Sequence, residues 1–369
     1  MMLPSDAPSD RFSEIHEKVR AVLLKDRISI MSLRGVGGLT GAPGGIWHDF
    51  ETDDWNISGK IILSEKFSEA DVIIMNIGGE DVEGIREYLE RRGFMGVLCF
   101  WLHDNHVAHQ ANKKSVAEGD IYFSSHYGAG HEDYLLNEHS IAAPILPACY
   151  RNIPVKIVDD VMRMFEKFPR ISKAVAPYFL YEPAARTKYL NEVVRDSSET
   201  VCFYTKSSDR EQKYYKNITE MEKAIRWFSF KSSIVVPLNM DLSIRFFDGL
   251  MWGHTVIVPD HLPAFDHVID VETAERLGVI RYDVSQGVEA IDEAVGKAIA
   301  AFDQGGNEGV MERHKFVTSN HLYAHRVRAL LTFLMDFATG NTVNTFVRTP
   351  SGWGMRARRT DRQPLIQGA

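Results

Sequence analysis

What most restricts the fold of this chain is a series of short, unbroken apolar runs separated by helix-like stretches. "ISIMSL" begins at Ile28, "DVIIMNIG" occupies 71–78, "GVLCFWL" 96–102, "IYFSS" 121–125 and "APILP" 143–147. A strand with one solvated face alternates polar and apolar residues, whereas a strand covered on both faces reads as continuous Val, Ile, Leu and Phe. These runs are of the second kind. Between them "EDVEGIREYLERRG" and "HEDYLLNEHSI" have helical spacing, and a short helix is expected from about Glu14 to Leu24. Buried strands alternating with helices make a parallel sheet of the α/β class.

The rhythm restarts after Arg151. Helical "IVDDVMRMFEKF", a strand within "ISKAVAPYFL", helical "AARTKYLNEVVRD", strand "TVCFYT", helix "ITEMEKAIRWFSF" and strand "SIVVPL" follow in turn. Then come a helix within "SIRFFDGLMWG", the strands "TVIVP" and "VIRYD", and the helix "GVEAIDEAVGKAIAAF". The chain is therefore expected to form an N-terminal Rossmann-like domain over 1–150 and a C-terminal one over 151–339, joined near the proline-bearing "PACYRNIP". The second domain takes in a long helix from about His321 to Phe337, and the tail 340–369, a mix of Gly, Thr and Arg, is expected to be loosely ordered. Two doubly wound domains facing across a cleft bind ligands beyond the carboxyl ends of their strands.

Composition narrows the partners. A chain of 369 residues can build two cores, and 44% hydrophobic with 25% charged residues is ordinary for a soluble globular protein. A net charge of -8 argues against nucleic acid as the main partner, because a basic surface is what collects phosphates. Cys99, Cys149 and Cys202 are scattered and form no CxxC, which suits core residues in a reducing compartment. "MMLPSDAPSDRF" has no secretory apolar region and "GFMGVLCFWL" is too short to span a bilayer. A cytoplasmic protein is expected, with peripheral contact to the inner membrane left open.

The stretch from Ser243 to Asp260 carries the sharpest chemistry. Arg245 and Asp248 lie three apart, on one helical face with Asp241 and Trp252, while Ile244, Phe247 and Met251 form an apolar stripe. One reading is an amphipathic surface helix with an exposed ion pair worth ~0.2–0.5 kcal/mol. The other is a ligand-facing helix start. Its free N–H groups and Ser243 would face a phosphate, Arg245 would neutralise a diphosphate, and Asp248 would accept from ribose hydroxyls. An N-cap at Asp241 would compete with the anion for the same amides.

Other motifs are weaker. His103, His106 and His109 invite a zinc site, but helical spacing spreads the rings over about 120°, and no Cys or Glu adds a ligand, so no metal is expected. "RGVGGLTGAPGG" lacks the Lys-Ser/Thr of a P-loop and misses GxGxxG. Lys173 and Arg186 are possible further cations for a diphosphate. His325 and Arg326, in "HLYAHR", are expected to serve structure.

"LNMDLSIRFFDGLMWGHTVIVPD" resembles the donor-site segment of GT-B glycosyltransferases, and in particular the bacterial spore-maturation-type group. That pattern has an Asn after a strand, then Ser/Pro-x-Arg-x-Phe-Glu, then a small residue before the next strand. Asn239, Ser243, Arg245, Phe247, Asp248 and Gly253 match it, with Asp248 in place of the usual Glu. "VLCFWLHDNHV", "GDIYFSSHYG", "ILPACY" and "SNHLYAHRVRALL" resemble further elements of the group in the same order, so the likeness spans roughly 70–335.

The resemblance implies a GT-B fold with a C-terminal crossover helix and a metal-independent transferase. Such an enzyme moves a sugar from a nucleotide-sugar donor to a saccharide or glycoconjugate acceptor, in bacterial polysaccharide or glycoconjugate synthesis, with no cofactor beyond the donor. It implies donor contacts from Asn239, Ser243, Arg245 and Asp248, and from Gly37 and Gly38 in the glycine loop. Removing the acceptor's proton requires a base, for which Asp104, His103 and His126 are the candidates. A GT-B-fold sugar-nucleotide epimerase and a non-catalytic nucleotide-sugar-binding protein are the alternatives.

Overall fold

In the computed structural model the apolar runs become the parallel strands of two sheets. The structure describes residues 9–34, 59–78, 82–103, 109–126, 133–150, 153–178, 185–194, 201–205, 218–239, 241–349, 352–361 and 365. The chain divides into two units: Met1–Ala148 with Tyr323–Gln367, and Cys149–Leu322 with Gly368–Ala369. Among the described residues no helix is long and apolar enough to cross a membrane.

The first unit holds β1 (Ile28–Arg34), β2 (Ile61–Leu63), β3 (Val72–Ile77), β4 (Val97–Leu102), β5 (Ile121–Ser124) and β6 (Ile141–Ala142). From β6 to β2 the spatial order is β6-β5-β4-β3-β1-β2, and every pairing is parallel. Every residue of β3 and β4 is buried, which is why those runs show no alternation. One face packs Met31, Met75, Leu98 and Phe100 against helices α2 (Ile85–Arg91) and α3 (His109–Glu118). The other face meets α1 (Ser9–Leu23): Asp120, at the start of β5, is ringed by Arg86 at 2.9 Å, Lys18 at 3.1 Å and Arg11 at 3.3 Å, which ties α1 and α2 to the sheet.

The second unit holds β7 (Ile171–Tyr178), β8 (Val201–Thr205), β9 (Phe230–Ile234), β10 (Thr255–Pro259) and β11 (Ile280–Tyr282), all parallel in the order β11-β10-β9-β7-β8. Its helices are α4 (Val155–Met164), α5 (Ala185–Tyr189), α6 (Glu220–Phe228), α7 (Ile244–Met251), α8 (Pro263–Asp266), α9 (Val271–Arg276) and α10 (Gly287–Asn320). The α10 helix is kinked at Gly306, whose φ of 51° and ψ of -148° are not helical. Before the kink, Ile291, Ala294 and Ala298 pack on the sheet. After it, Arg313 donates to the Gly253 carbonyl and His314 Nδ1 to the Met251 carbonyl at the end of α7.

Several sequence expectations need correction. The helix α11 (Tyr323–Ala338) belongs to the first unit, not to the C-terminal domain. Its Phe333 and Phe337 pack on Phe123 of β5 and Phe12 of α1. The tail is an antiparallel hairpin, β12 (Thr342–Thr349) and β13 (Gly352–Arg359), and β13 pairs with β6 at the edge of the first sheet. The fifth strand is Ile141–Ala142 rather than 143–147, since Pro144 and Pro147 lack the N–H that a sheet ladder needs. Among its described residues, 133–141, "HEDYLLNEHSI" forms a single turn at Asp133–Leu135, because Asn137 folds onto His139 and Ser140. The helix begun by "GVEAIDEAVGKAIAAF" runs to the break at Gly306, beyond which a second helical stretch continues to Asn320.

Candidate functional site

The site of the second unit is built at the exit of β9. Two buried phenols hold that exit. Tyr178, the last residue of β7, accepts from the Val236 N–H at 2.7 Å and donates to the Ile234 carbonyl at 3.0 Å. Tyr282, the last of β11, reaches the Val235 carbonyl at 3.3 Å. Burial pushes the Tyr178 hydroxyl up to about 12, so it stays a neutral hydrogen-bonding strut. The chain then turns through Asn239, exposed and with a φ of 54°, a left-handed conformation that Asn tolerates better than most residues. Tyr178 and Tyr282 lie outside every sequence motif; each ends an apolar strand run, the position where α/β sheets place functional groups.

Ser243, not Asp241, is the N-cap of α7. Its hydroxyl accepts from the Arg245 N–H at 3.3 Å. The Asp241 carboxylate accepts from the Leu238 N–H. The helix starts at Ile244, which corrects the placing of Asp241 on the helix face and leaves the cap to Ser243. Nor is α7 an amphipathic surface helix: Phe246 through Trp252 are all buried. It lies against β9 and β10 because residue 249 is glycine, where a Cβ would meet Ser233 Oγ at 2.2 Å.

Arg245 Nη1 donates to Asp248 Oδ2 at 2.7 Å, with the two side chains 14% and 2% exposed. The Arg245 guanidinium lies 5.6 Å from the Trp227 ring. That of Arg186, on α5, stands 5.4 Å over the Tyr178 ring. Arg245, Ser243 and Arg186 thus share the carboxyl end of the sheet. Lys173 lies at the opposite end of β7, which removes it as a cation for this site. Asp248 is buried and paired with Arg245.

In the first unit the carboxyl ends of β1, β3, β4 and β5 carry a buried polar chain. Ser32 Oγ lies 2.5 Å from Tyr323 Oη, Asn76 Nδ2 donates to that oxygen at 2.5 Å, and Asn76 Oδ1 lies 2.8 Å from His103 Nε2. Because the amide oxygen can only accept, His103 carries its proton on Nε2 when neutral. The His103 ring packs 4.2 Å from Trp101, and the His103 carbonyl lies 2.6 Å from His126 Nε2. Every member is buried. His103 and His126 are therefore brought together, and Asn76, Tyr323 and Ser32 join them. The signal available in sequence was one polar residue, Asn76, inside the apolar run "DVIIMNIG". Asp104, Gly37 and Gly38 lie outside the described residues.

His109 packs against Tyr134 with ring centroids 4.4 Å apart, and among the described residues no group of three His, Cys, Asp or Glu is placed to hold a metal ion. Arg326 is buried and donates to the Pro147 and Ala148 carbonyls, a structural role.

No family model and no curated protein matches this chain. Solved structures similar to it include sucrose-phosphate synthase from Thermosynechococcus elongatus, 12% identical over 73% of this chain and 74% of that one, with a TM-score of 0.48. The catalytic domain of starch synthase IV from Arabidopsis thaliana, bound to ADP and acarbose, is 9% identical over 78% of each chain, with a TM-score of 0.45. UDP-GlcNAc 2-epimerase from Neisseria meningitidis, bound to UDP-GlcNAc, is 8% identical over 85% of this chain and all of that one, with a TM-score of 0.27.

Proposed function

We propose that this protein is a GT-B glycosyltransferase that moves a sugar from a nucleotide-sugar donor to a hydroxyl acceptor. The observation that carries the reading is the Ser243-capped start of α7 at the carboxyl end of a parallel sheet, with Arg245 in its first turn. Free amides and a guanidinium at that place suit a diphosphate. Arg245 holds the donor phosphates and stabilises the charge that develops on the leaving diphosphate. Asp248 keeps Arg245 in position and accepts from the donor's ribose hydroxyls. Asn239 shapes the approach, and the glycine loop with Gly37 and Gly38 contributes backbone donors.

His103, oriented through Asn76 and Tyr323, takes the acceptor's proton, with Asp104 and His126 as the other groups at that end of the sheet. The donor serves as substrate and no further cofactor takes part. The acceptor is a saccharide or glycoconjugate, in keeping with bacterial surface-polymer assembly at the cytoplasmic face of the inner membrane.

A thermal-shift screen against UDP, GDP, CMP and dTDP tests the reading. A nucleotide at a hundred times its Kd raises stability by ~2.7 kcal/mol, and Arg245→Lys should diminish that gain. The matching sugar nucleotide is then incubated alone and with acceptor glycans. A product that requires the acceptor, with turnover insensitive to EDTA, is the expected result. A new sugar nucleotide formed without acceptor would make the protein an epimerase, and binding with no turnover across donors would make it a binding protein.

A further inference from the structure

The second unit also carries a cavity of about 610 Å³ at the amino ends of β7 and β9, the opposite end of the sheet from Ser243 and Arg245. Its volume lies within the few hundred to a thousand Å³ usual for a small-molecule site.

Arg170 lies in the lining, held by two backbone carbonyls: Nη1 donates to Trp252 at 2.7 Å and to Phe230 at 3.4 Å. Its guanidinium rests 4.0 Å from the Phe228 ring centroid and 5.3 Å from that of Phe302. Among the described residues no carboxylate forms an ion pair with it. The acids of the lining are engaged elsewhere: Asp303 with Lys231 at 2.7 Å, Asp159 with His314 at 3.1 Å, and Glu166 with the Asn307 amide at 3.5 Å. The lip carries two exposed apolar side chains, Phe168 at 61% and Met311 at 54%, beside the exposed Arg163, which pairs with Asp160.

A half-buried cation that among the described residues no acid answers, aromatic walls and exposed apolar side chains on the rim call for a ligand with matching ends. We propose that this cavity binds an amphipathic anion, its carboxylate, sulfonate or phosphate group on Arg170 and its apolar body against Phe228, Phe302 and Met311. Burial, with the neighbouring Arg313 adding repulsion, pulls the Arg170 guanidinium down to about 9, so an arriving anion relieves a charge that no acid among the described residues compensates. The source is either a soluble amphiphile or the headgroup of an acidic bilayer lipid; the recognition chemistry is the same.

The full-length protein is titrated with 8-anilinonaphthalene-1-sulfonate and with uncharged N-phenyl-1-naphthylamine, and fluorescence reports binding. Met311 is exposed, so Met311→Glu and Met311→Lys leave the fold intact. The first should weaken sulfonate binding and the second tighten it, each about three- to tenfold, while the uncharged probe shows no such opposed pair. Arg170→Met should weaken the sulfonate by at least about tenfold, and if that variant does not fold the Met311 pair decides alone. Saturating UDP should displace none of the probe. Sedimentation with phosphatidylglycerol but not phosphatidylcholine vesicles, diminished by Met311→Glu, identifies the lipid source; no sedimentation alongside a sign-dependent probe affinity identifies the soluble one. The proposal is overturned by absence of saturable sulfonate binding at millimolar probe, by an affinity indifferent to the sign of the charge at position 311, by a folded Arg170→Met variant with native affinity, or by displacement with UDP.

Discussion

Arg245 and Asp248 hold each other in a buried ion pair, 2.7 Å from Nη1 to Oδ2, with the carboxylate side chain 2% exposed. An exposed helical pair is worth a few tenths of a kcal/mol. A buried one contributes little net stability while intact, but it is costly to break from one side because the remaining charge has no water.

Arg245→Ala is therefore expected to destabilise the protein by roughly 3–5 kcal/mol, visible in a chemical denaturation curve. The double variant Arg245→Met with Asp248→Leu should recover most of that loss, since both charges leave together. If Arg245 serves the donor, the recovered double variant still fails to bind nucleotide. Native nucleotide affinity in it would remove the donor role from Arg245.

Tyr323→Phe deletes the hydroxyl that Asn76 and Ser32 both contact. The loss of stability should be about 1–3 kcal/mol, because buried partners are left unsatisfied. With the Asn76 amide no longer anchored, the His103 ring loses its fixed orientation. In the proposed transferase kcat should then fall more than donor KM rises. Equal effects on both constants would speak against His103 as the base.

His254 is fully buried and donates from Nε2 to the Trp227 carbonyl at 2.9 Å. Burial, with Arg170 adding repulsion, holds its imidazole well below the ordinary histidine range. Among the described residues Nδ1 has no acceptor waiting for a second proton. The unfolded chain takes up a proton near pH ~6.5 that the folded one refuses. The contribution is thus complete above that value and is lost as pH falls, at up to ~1.4 kcal/mol per pH unit. His254→Gln keeps a donor and should flatten the stability profile between pH 7 and 5. An unchanged slope would show that another group controls it.

Gly354 of β13 packs so closely on Leu136 that a Cβ would lie 2.5 Å from the leucine Cβ. Gly354→Val should therefore prise the hairpin from the sheet edge at about 1–3 kcal/mol and open 342–359 to limited proteolysis. A native digestion pattern would show that the contact yields without cost.

Much of the architecture was legible because it is written in local pattern. A strand buried on both faces needs only a few consecutive apolar residues, and such runs marked β1, β3, β4, β5, β8 and β10, whereas β9 is Phe230–Ile234, ahead of most of the run at 233–238, because Ser232 and Ser233 give it no apolar signal. "LSIRFFDGLM" likewise announced a helix after a strand, with its cap at Ser243, four residues past the left-handed Asn239. The tail was misread because composition stood in for pattern. Its Thr and Arg suggested a solvated segment, whereas Met355 and Ala357 of β13 are buried and β13 extends a sheet whose edge strand lies some 210 residues earlier (β6).

By itself the sequence determined the α/β class, the parallel order of strand and helix, and the types of residue available at strand ends. Tertiary structure alone decided which of those residues meet. Tyr323 reaches Asn76 across 247 positions and Tyr178 reaches Val236 across 58. Asp248 became a buried partner because Gly249 lets its helix press against the sheet. Periodicity is fixed by the geometry of a few neighbouring peptide units, so it can be read from a short window. Burial and partnership depend on how distant elements pack, and no short window contains that information.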